Sequence, residues 1–412
     1  MSLRVAYIIS QYPEFHETFV AREVNAMRLK GIKFRLFSLK NPKPFERALY
    51  PDHIQLIEYS PLIASIRLIL ANAGEFFSSP LRYLAAVTWL IRSHYMQPLE
   101  LLKSLAVLPK TVLFAKMIRG NFDLLHAHWA TIPAAMAVVV NTLTGIRFSI
   151  TAHAWDIFLS PPQLLREKIS KSSGIITCTG YNVKYLKTIC ASKDKDKIFR
   201  NYHGLDIATF PTSSTILEKG QPLRIIAIGR LVEQKGFIYL IRAVKILAEQ
   251  GVHLHLSIIG EGPLRNQLQK EAYQARLLSK VDILGRLPHE QTIATLRESH
   301  IMVAPSVIAG DGNQDGIPNV ILEGMACALP VIATNISGIP EVILHKKTGY
   351  LVEPSNVPAL VDAILDVISF PEQAKAYGIA GRRFVEKHFD ISKNIEQLFL
   401  LLQQFAATNY FF

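Results

Sequence analysis

Short apolar runs alternate with helical patterns along most of this chain. Val5–Ile9, Phe34–Leu39, Leu124–His126, Phe148–Thr151 and Ile175–Thr179 read as strands of a first unit. Ile225–Ile228, Leu254–Ile259, Val281–Leu284, Ile301–Ala304 and Pro330–Ala333 read as strands of a second. Helical stretches such as Phe237–Glu249, Leu264–Leu278 and Val320–Ala328 lie between them. Near-continuous apolar strands separated by helices predict parallel sheets covered on both faces. The expected fold is α/β, with two successive doubly wound units whose ligands bind beyond the carboxyl ends of the strands. Asp206–Pro222 holds Pro211, Ser213, Ser214, Gly220 and Pro222 without an apolar period, which puts the boundary there. Units are expected at 1–206 and 207–385, followed by a terminal segment at 386–412. Pro371–Gln404 reads as apolar-rich helices.

Residues 61–119 fit this rhythm poorly. Leu62, Ile63, Ile66, Leu68, Ile69 and Leu70 are followed by Phe76, Phe77, Leu81, Tyr83, Leu84, Trp89, Leu90 and Ile91. Arg67, Arg82, Arg92, Lys103, Lys110, Lys116 and Arg119 punctuate them, opposed by Glu75 and Glu100. A helical insertion in the first unit is expected. Basic, aromatic-bearing amphipathic helices lie on anionic bilayers; packing against the first unit is the other reading.

A length of 412 residues suits two domains, and a composition 50% hydrophobic and 19% charged is that of a globular chain. Cys178, Cys190 and Cys327 are odd in number and scattered, which argues against a disulfide framework or a cysteine zinc site and for a reducing cytosol. Met1–Arg4 runs straight into Val5–Ile9, too short for a signal peptide. Leu124–Ile146 lacks acidic and basic residues over a bilayer-spanning length. Its His126, His128, Pro133 and Asn141 instead suggest a strand, a turn and a buried helix.

The net charge is +12, and residues 1–205 hold 26 Lys and Arg against 13 Asp and Glu, a balance of +13. The whole excess sits in the first half. That field suits an anionic partner. With no nucleic-acid motif beside it, a membrane surface or lipid-phosphate acceptor is expected.

Gly229-Arg230-Leu231-Val232-Glu233-Gln234-Lys235-Gly236 directly follows a predicted strand. A glycine there admits close backbone approach, and Arg230 and Lys235 bring two cations suited to a diphosphate. A solvated basic loop is the plainer alternative. Gly260-Glu261-Gly262-Pro263-Leu264-Arg265 begins like a dinucleotide fingerprint but has Arg265 for the third glycine.

Asp315-Gly316-Ile317-Pro318-Asn319 leads into an apolar helix with Glu323 eight positions after Asp315. Pro318 suits the first helical position, and free N–H groups at such an end attract anions. The two acids read either as grips on opposite ends of a ligand or as a dipole-complementing acid plus a surface Glu.

In the first unit, His153 stands just past a predicted strand, in Thr151-Ala152-His153-Ala154-Trp155-Asp156, where such sheets place ligands. A satisfied structural histidine is the alternative. His126 and His128 share one strand face and are pocket-lining candidates, since further ligands of matching spacing for a metal are missing. Asp194-Lys195-Asp196 lies in a charge run without a strand before it and reads as a solvated loop, so no metal site is expected.

These segments resemble the family 4 retaining glycosyltransferases of the GT-B fold. Residues 315–323 are similar to its Glu-x7-Glu signature, with Asp315 for the first Glu, and 229–236 to its Gly-Arg-Leu-x-x-x-Lys-Gly motif. Glu17-Thr18-Phe19 resembles the Ser-Glu-Thr-Phe loop of the exopolysaccharide branch, with His16 replacing Ser. A capping box is the other reading of that loop.

Asn201-Tyr202-His203-Gly204-Leu205-Asp206 departs from the family's Asn-Gly-Val-Asp by inserting Tyr202 and His203. The resemblance implies two Rossmann-like domains facing across a cleft, with the last helix crossing back to the first. It implies that Arg230 and Lys235 hold the donor diphosphate, Glu323 the ribose, and Asp315 with the amides of Gly316, Ile317 and Asn319 after it the donor sugar. Gly229, Gly262 and Pro318 would line the donor site. His153 would contact the transferred sugar, and His16, Glu17, Thr18 and His128 would lie on the acceptor side.

The implied reaction moves a sugar from a nucleotide-sugar donor to an acceptor hydroxyl with retention, for a lipid-linked or other glycan acceptor. No cofactor, metal or nucleic acid is expected, and the enzyme would be cytoplasmic, peripheral on the inner membrane face. A nucleotide-sugar epimerase, a Rossmann oxidoreductase and a non-catalytic assembly protein are the competing classes.

Overall fold

The computed structural model describes residues 3–14, 17–61, 65–213 and 215–407. It forms two compact units: residues 1–204 with 391–412, and residues 205–390. Each is a parallel sheet flanked by helices, so the two doubly wound Rossmann-like units expected from the apolar pattern are present.

The first sheet contains β1 (Arg4–Gln11), β2 (Lys33–Lys40), β3 (Ile57–Tyr59), β4 (Leu124–His128), β5 (Phe148–Ala152), β6 (Gly174–Thr177) and β7 (Ile198–Arg200). Their order is β3-β2-β1-β4-β5-β6-β7. Period-two alternation feeds both faces. Ala6 and Ile8 of β1 join a core with Val112, Ala134 and Val138, from the helices Pro98–Ile118 and Ile132–Thr144. Val5, Tyr7 and Ile9 join another with Val20, Val24 and the terminal helix Ile391–Ala407. The uncharged stretch after residue 124 is thus β4 and a buried helix. Among the described residues, no helix is long and apolar enough to cross a membrane.

The insertion forms helices Ile66–Ser78, Pro80–His94 and Pro98–Ile118; Leu62 and Ile63 lie outside the described residues. Only the third is largely absorbed into the core. The charge run is solvated only in part: Lys193, Lys195 and Asp196 are exposed, but Asp194 is 1% exposed and bonds Lys197 Nζ at 2.9 Å within the turn Ser192–Lys197. Burying that acid requires its neighbouring cation to turn inward with it.

The second sheet contains β8 (Leu223–Ile228), β9 (Leu254–Ile259), β10 (Val281–Gly285), β11 (Ile301–Ala304), β12 (Val331–Thr334) and β13 (Tyr350–Val352), in the order β10-β9-β8-β11-β12-β13. The helix Phe237–Glu249 buries Phe237, Leu240, Ile241, Val244 and Leu247 against it, the spacing of one helical face. Residues 205–222 belong to this unit: Leu205 and Phe210 are buried, and Leu205 N donates to Phe389 O at 2.7 Å.

Candidate active site

In the second sheet, chain order reverses between the neighbours β8 and β11. Loops leaving such a pair diverge and open a crevice for ligand. Residues 229–236 leave β8 and residues 305–318 leave β11, so both motifs of this unit meet at that point. Lys235 Nζ lies 2.9 Å from Asp315 Oδ2, with side chains 17% and 23% exposed.

Further bonds tie the two loops. Val307 N donates to Gln234 O at 2.9 Å, and Gly310 N to Glu233 Oε1 at 3.1 Å. Gly236 has φ +64°, and a Cβ there would stand 1.9 Å from Pro305 O. Only glycine allows this approach. A Cβ on Gly262 would likewise fall 2.5 Å from Leu231 O, so the turn after β9 supports the Arg230 loop from beneath. Arg265 bonds Glu261 at 2.8 Å and Ile283 O at 3.1 Å, which makes it a brace of that turn.

Pro318 is the N-cap, one residue ahead of the helix Asn319–Ala326, and not its first residue. Its extended ψ of 125° turns the chain into the helix. Glu323 is half-buried just over one turn inside, and Arg230 is exposed. Gly229, Ile317 and Asn319 are partly exposed; Gly316 is buried, its carbonyl accepting from Gly338 N at 3.2 Å.

In the first unit, four neighbouring strands deliver His128, His153, Cys178 and His203 at or just past their carboxyl ends. His153 Nδ1 lies 2.9 Å from His203 Nε2, and His153 Nε2 lies 2.9 Å from His128 Nε2. Phe19 stacks on His203 with ring centres 4.5 Å apart, and Trp129 lies 4.2 Å from His153. Desolvation drives His128 and His153 well below the ordinary histidine range and His203 to about 3, so all three rings are neutral near pH 7.

His126 is a satisfied structural residue. It is fully buried and bonds Ser149 Oγ and Thr151 Oγ1, each at 2.8 Å. Asp156 ties the loops after β4 and β5, accepting from Ala130 N at 2.8 Å and His153 N at 2.9 Å. Glu17 is the N-cap of the helix Thr18–Leu29 without a side-chain capping bond, so the capping box is not formed. It instead accepts from Trp129 Nε1 at 3.4 Å, and desolvation with Glu14 nearby raises it to about 8. Thr18 is exposed, and His16 lies outside the described residues.

Residues 211–384 match the family model described as glycosyl transferases group 1. The second unit carries a group 1 glycosyl transferase domain. The chain is 36% identical over 186 residues to the amylovoran biosynthesis glycosyltransferase AmsK of Erwinia amylovora, covering 45% of this chain and 46% of that protein. It is 34% identical over 170 residues to the putative colanic acid biosynthesis glycosyltransferase WcaL of Escherichia coli, covering 41% and 42%. The matched stretch spans less than half of either relative. In fold, the chain is similar to Anabaena Alr3699/HepE in complex with UDP, with TM-score 0.73, 15% identity, and 97% and 100% of the two chains covered.

Within the glycosyl transferase domain, sequence spacing located Lys235 and Asp315 but not their ion pair. In the first unit, His203 went unassigned because Tyr202 and His203 broke a familiar pattern. Its offset of 50 residues from His153, twice the 25 between His128 and His153, was the signal available.

Proposed function

We propose that the chain is a retaining hexosyltransferase, moving a sugar from a nucleotide-sugar donor to an acceptor hydroxyl in exopolysaccharide or other cell-surface glycan synthesis. The observation that carries this reading is the Lys235–Asp315 pair at the switch point of the glycosyl transferase domain. It joins a diphosphate-type cation to a hydroxyl-binding acid in one crevice. The UDP complex of the Anabaena protein and the polysaccharide names of the two relatives support the donor and product classes.

In this mechanism the acceptor oxygen bonds to the anomeric carbon as the sugar–diphosphate bond breaks on the same face. The acceptor proton passes to the departing diphosphate. Arg230 and Lys235 stabilise the charge growing there, and these two cations supply what a metal would otherwise provide. Glu323 binds ribose hydroxyls. Asp315, with the amides of Gly316, Ile317 and Asn319, binds the sugar, while Gly229, Gly262 and Pro318 shape the donor site. His153 contacts the sugar by exchanging one imidazole partner for a hydroxyl. Glu17, Thr18, His128 and His16 serve the acceptor side.

The acceptor is proposed to be lipid-linked, with the protein peripheral on the cytoplasmic face of the membrane. Exposed apolar side chains on the insertion support this. The deciding experiment is a panel of UDP- and GDP-sugars with lipid-linked and soluble glycan acceptors, read by mass spectrometry. Arg230→Ala with Lys235→Ala is expected to abolish transfer while the protein stays folded. Full turnover by that variant, or a new sugar nucleotide formed without acceptor, would overturn the reading.

A further inference from the structure

In the first unit, β4, β5, β6 and β7 lie side by side, and His128, His153, Cys178 and His203 follow at equal intervals of sequence, one per strand end. Parallel strands in register bring such positions together. One ligand-capable atom from each of His153, Cys178 and His203 lies within 4.8 Å of the others. His153 and Cys178 are buried, and His203 is half-buried. We propose that His153, Cys178 and His203 form a binding site for a borderline-soft divalent metal ion of the Zn2+ or Co2+ type.

The donor set fits that ion. Two imidazole nitrogens and one thiolate are nitrogen and sulfur ligands suited to tetrahedral coordination, with the fourth position open to water or a small ligand. Neutral imidazoles present lone pairs without first losing a proton. His153 Nδ1 faces His203, leaving Nε2 to donate its N–H to His128 Nε2 at 2.9 Å. A ligating histidine is oriented and made more basic by such an outer partner. Phe19 and Trp129 pack against His153, with ring centres 4.9 Å and 4.2 Å from it. They give the site an apolar shell.

Hydrogen bonding among imidazoles accounts for the contacts of His128, His153 and His203. Cys178 Sγ donates to His153 O at 3.6 Å and accepts from Asn182 Nδ2 at 3.9 Å; metal binding would ionise the thiol, giving up the first contact and keeping the second. Cys178 lies at the end of a different strand from that of His126 and His128 and in no sequence motif, so the residue pattern does not group it with them.

The test uses Co2+ with the full-length protein, without nucleotide sugar. One equivalent is expected to give a thiolate-to-cobalt charge-transfer band and d–d bands of tetrahedral intensity, displaced by Zn2+. Cys178→Ser should remove the charge-transfer band, and His203→Gln should weaken binding by about tenfold or more. Cys190→Ser and Cys327→Ser should leave the spectrum intact. Circular dichroism confirms that each variant is folded. A wild-type protein that shows no band at saturating Co2+, or a band that survives Cys178→Ser, overturns the site. The readout is the metal itself, so the result stands apart from the transfer reading.

Discussion

Gly236 shows how one residue sets the geometry of the crevice between the loops after β8 and β11. Its φ of +64° and the 1.9 Å approach of a notional Cβ to Pro305 O leave no room for another side chain. The left-handed backbone alone costs a non-glycine residue about 1–2 kcal/mol, and the collision adds to it. Gly236→Ala is therefore expected to destabilise the protein by about 2 kcal/mol or more, read as a lower urea midpoint. Glycine at this position was legible in the sequence as a loop-to-helix signal, but its contact with Pro305, on another strand's loop, was not.

Lys168 gives a second prediction at the same scale. It is 2% exposed, and its Nζ donates to Ala130 O at 2.7 Å and Thr131 O at 3.0 Å. Burial pulls its pKa from the ordinary 10.5 to about 7, opposed by the Asp156 charge. Between those values the unfolded chain binds the proton and the folded one does not, so stability rises with pH. The urea midpoint should climb from pH 7 toward pH 10, and Lys168→Met should flatten that climb. An unchanged slope would mean that Lys168 stays charged when folded.

At the scale of elements, the core strands were legible because short, largely apolar runs alternating with helical patterns leave little alternative. β3, β7 and β13 were missed. Each has three residues and sits at a sheet edge, bonded on one side only, so neither length nor burial prints a pattern. The terminal helix was legible as a helix, whereas its burial depends on a distant partner. Ile391–Ala407 packs Ile395, Leu398, Leu402 and Phe405 into the first unit, and Phe405 fills the space a side chain on Gly174 would need. Leu402 is fully buried. Leu402→Ala should thus cost about 2–5 kcal/mol, the range for cavity-forming changes in a core. Denaturant unfolding followed by residues of the first unit checks this. A loss below about 0.5 kcal/mol, the surface range, would place the helix outside the core.

At the scale of the whole molecule, the charge and the exposed apolar surface point the same way. The first half of the chain holds the net positive charge, and its insertion displays apolar stripes that its own core does not cover. On the helix Ile66–Ser78 these are Ile66 at 73%, Ile69 at 61%, Leu70 at 64% and Phe77 at 80% exposed. Leu81 at 83% and Leu84 at 51% exposed continue the feature on Pro80–His94, with Arg82 and Arg92 exposed on the same helix. Isolated exposed apolar residues are ordinary, but stripes at helical spacing beside arginines suit the interface of an anionic bilayer. Apolar insertion and electrostatic attraction would then contribute separately, and two variants resolve them. The wild-type protein is expected to float with vesicles containing phosphatidylglycerol and to release partly at high salt. Phe77→Ser with Leu81→Ser should lose flotation at any salt, whereas Arg82→Gln with Arg92→Gln should keep a weakened, salt-insensitive remainder. Wild-type protein left at the bottom of the gradient at low salt would assign the stripes to something other than a membrane, such as contact with a second protein chain.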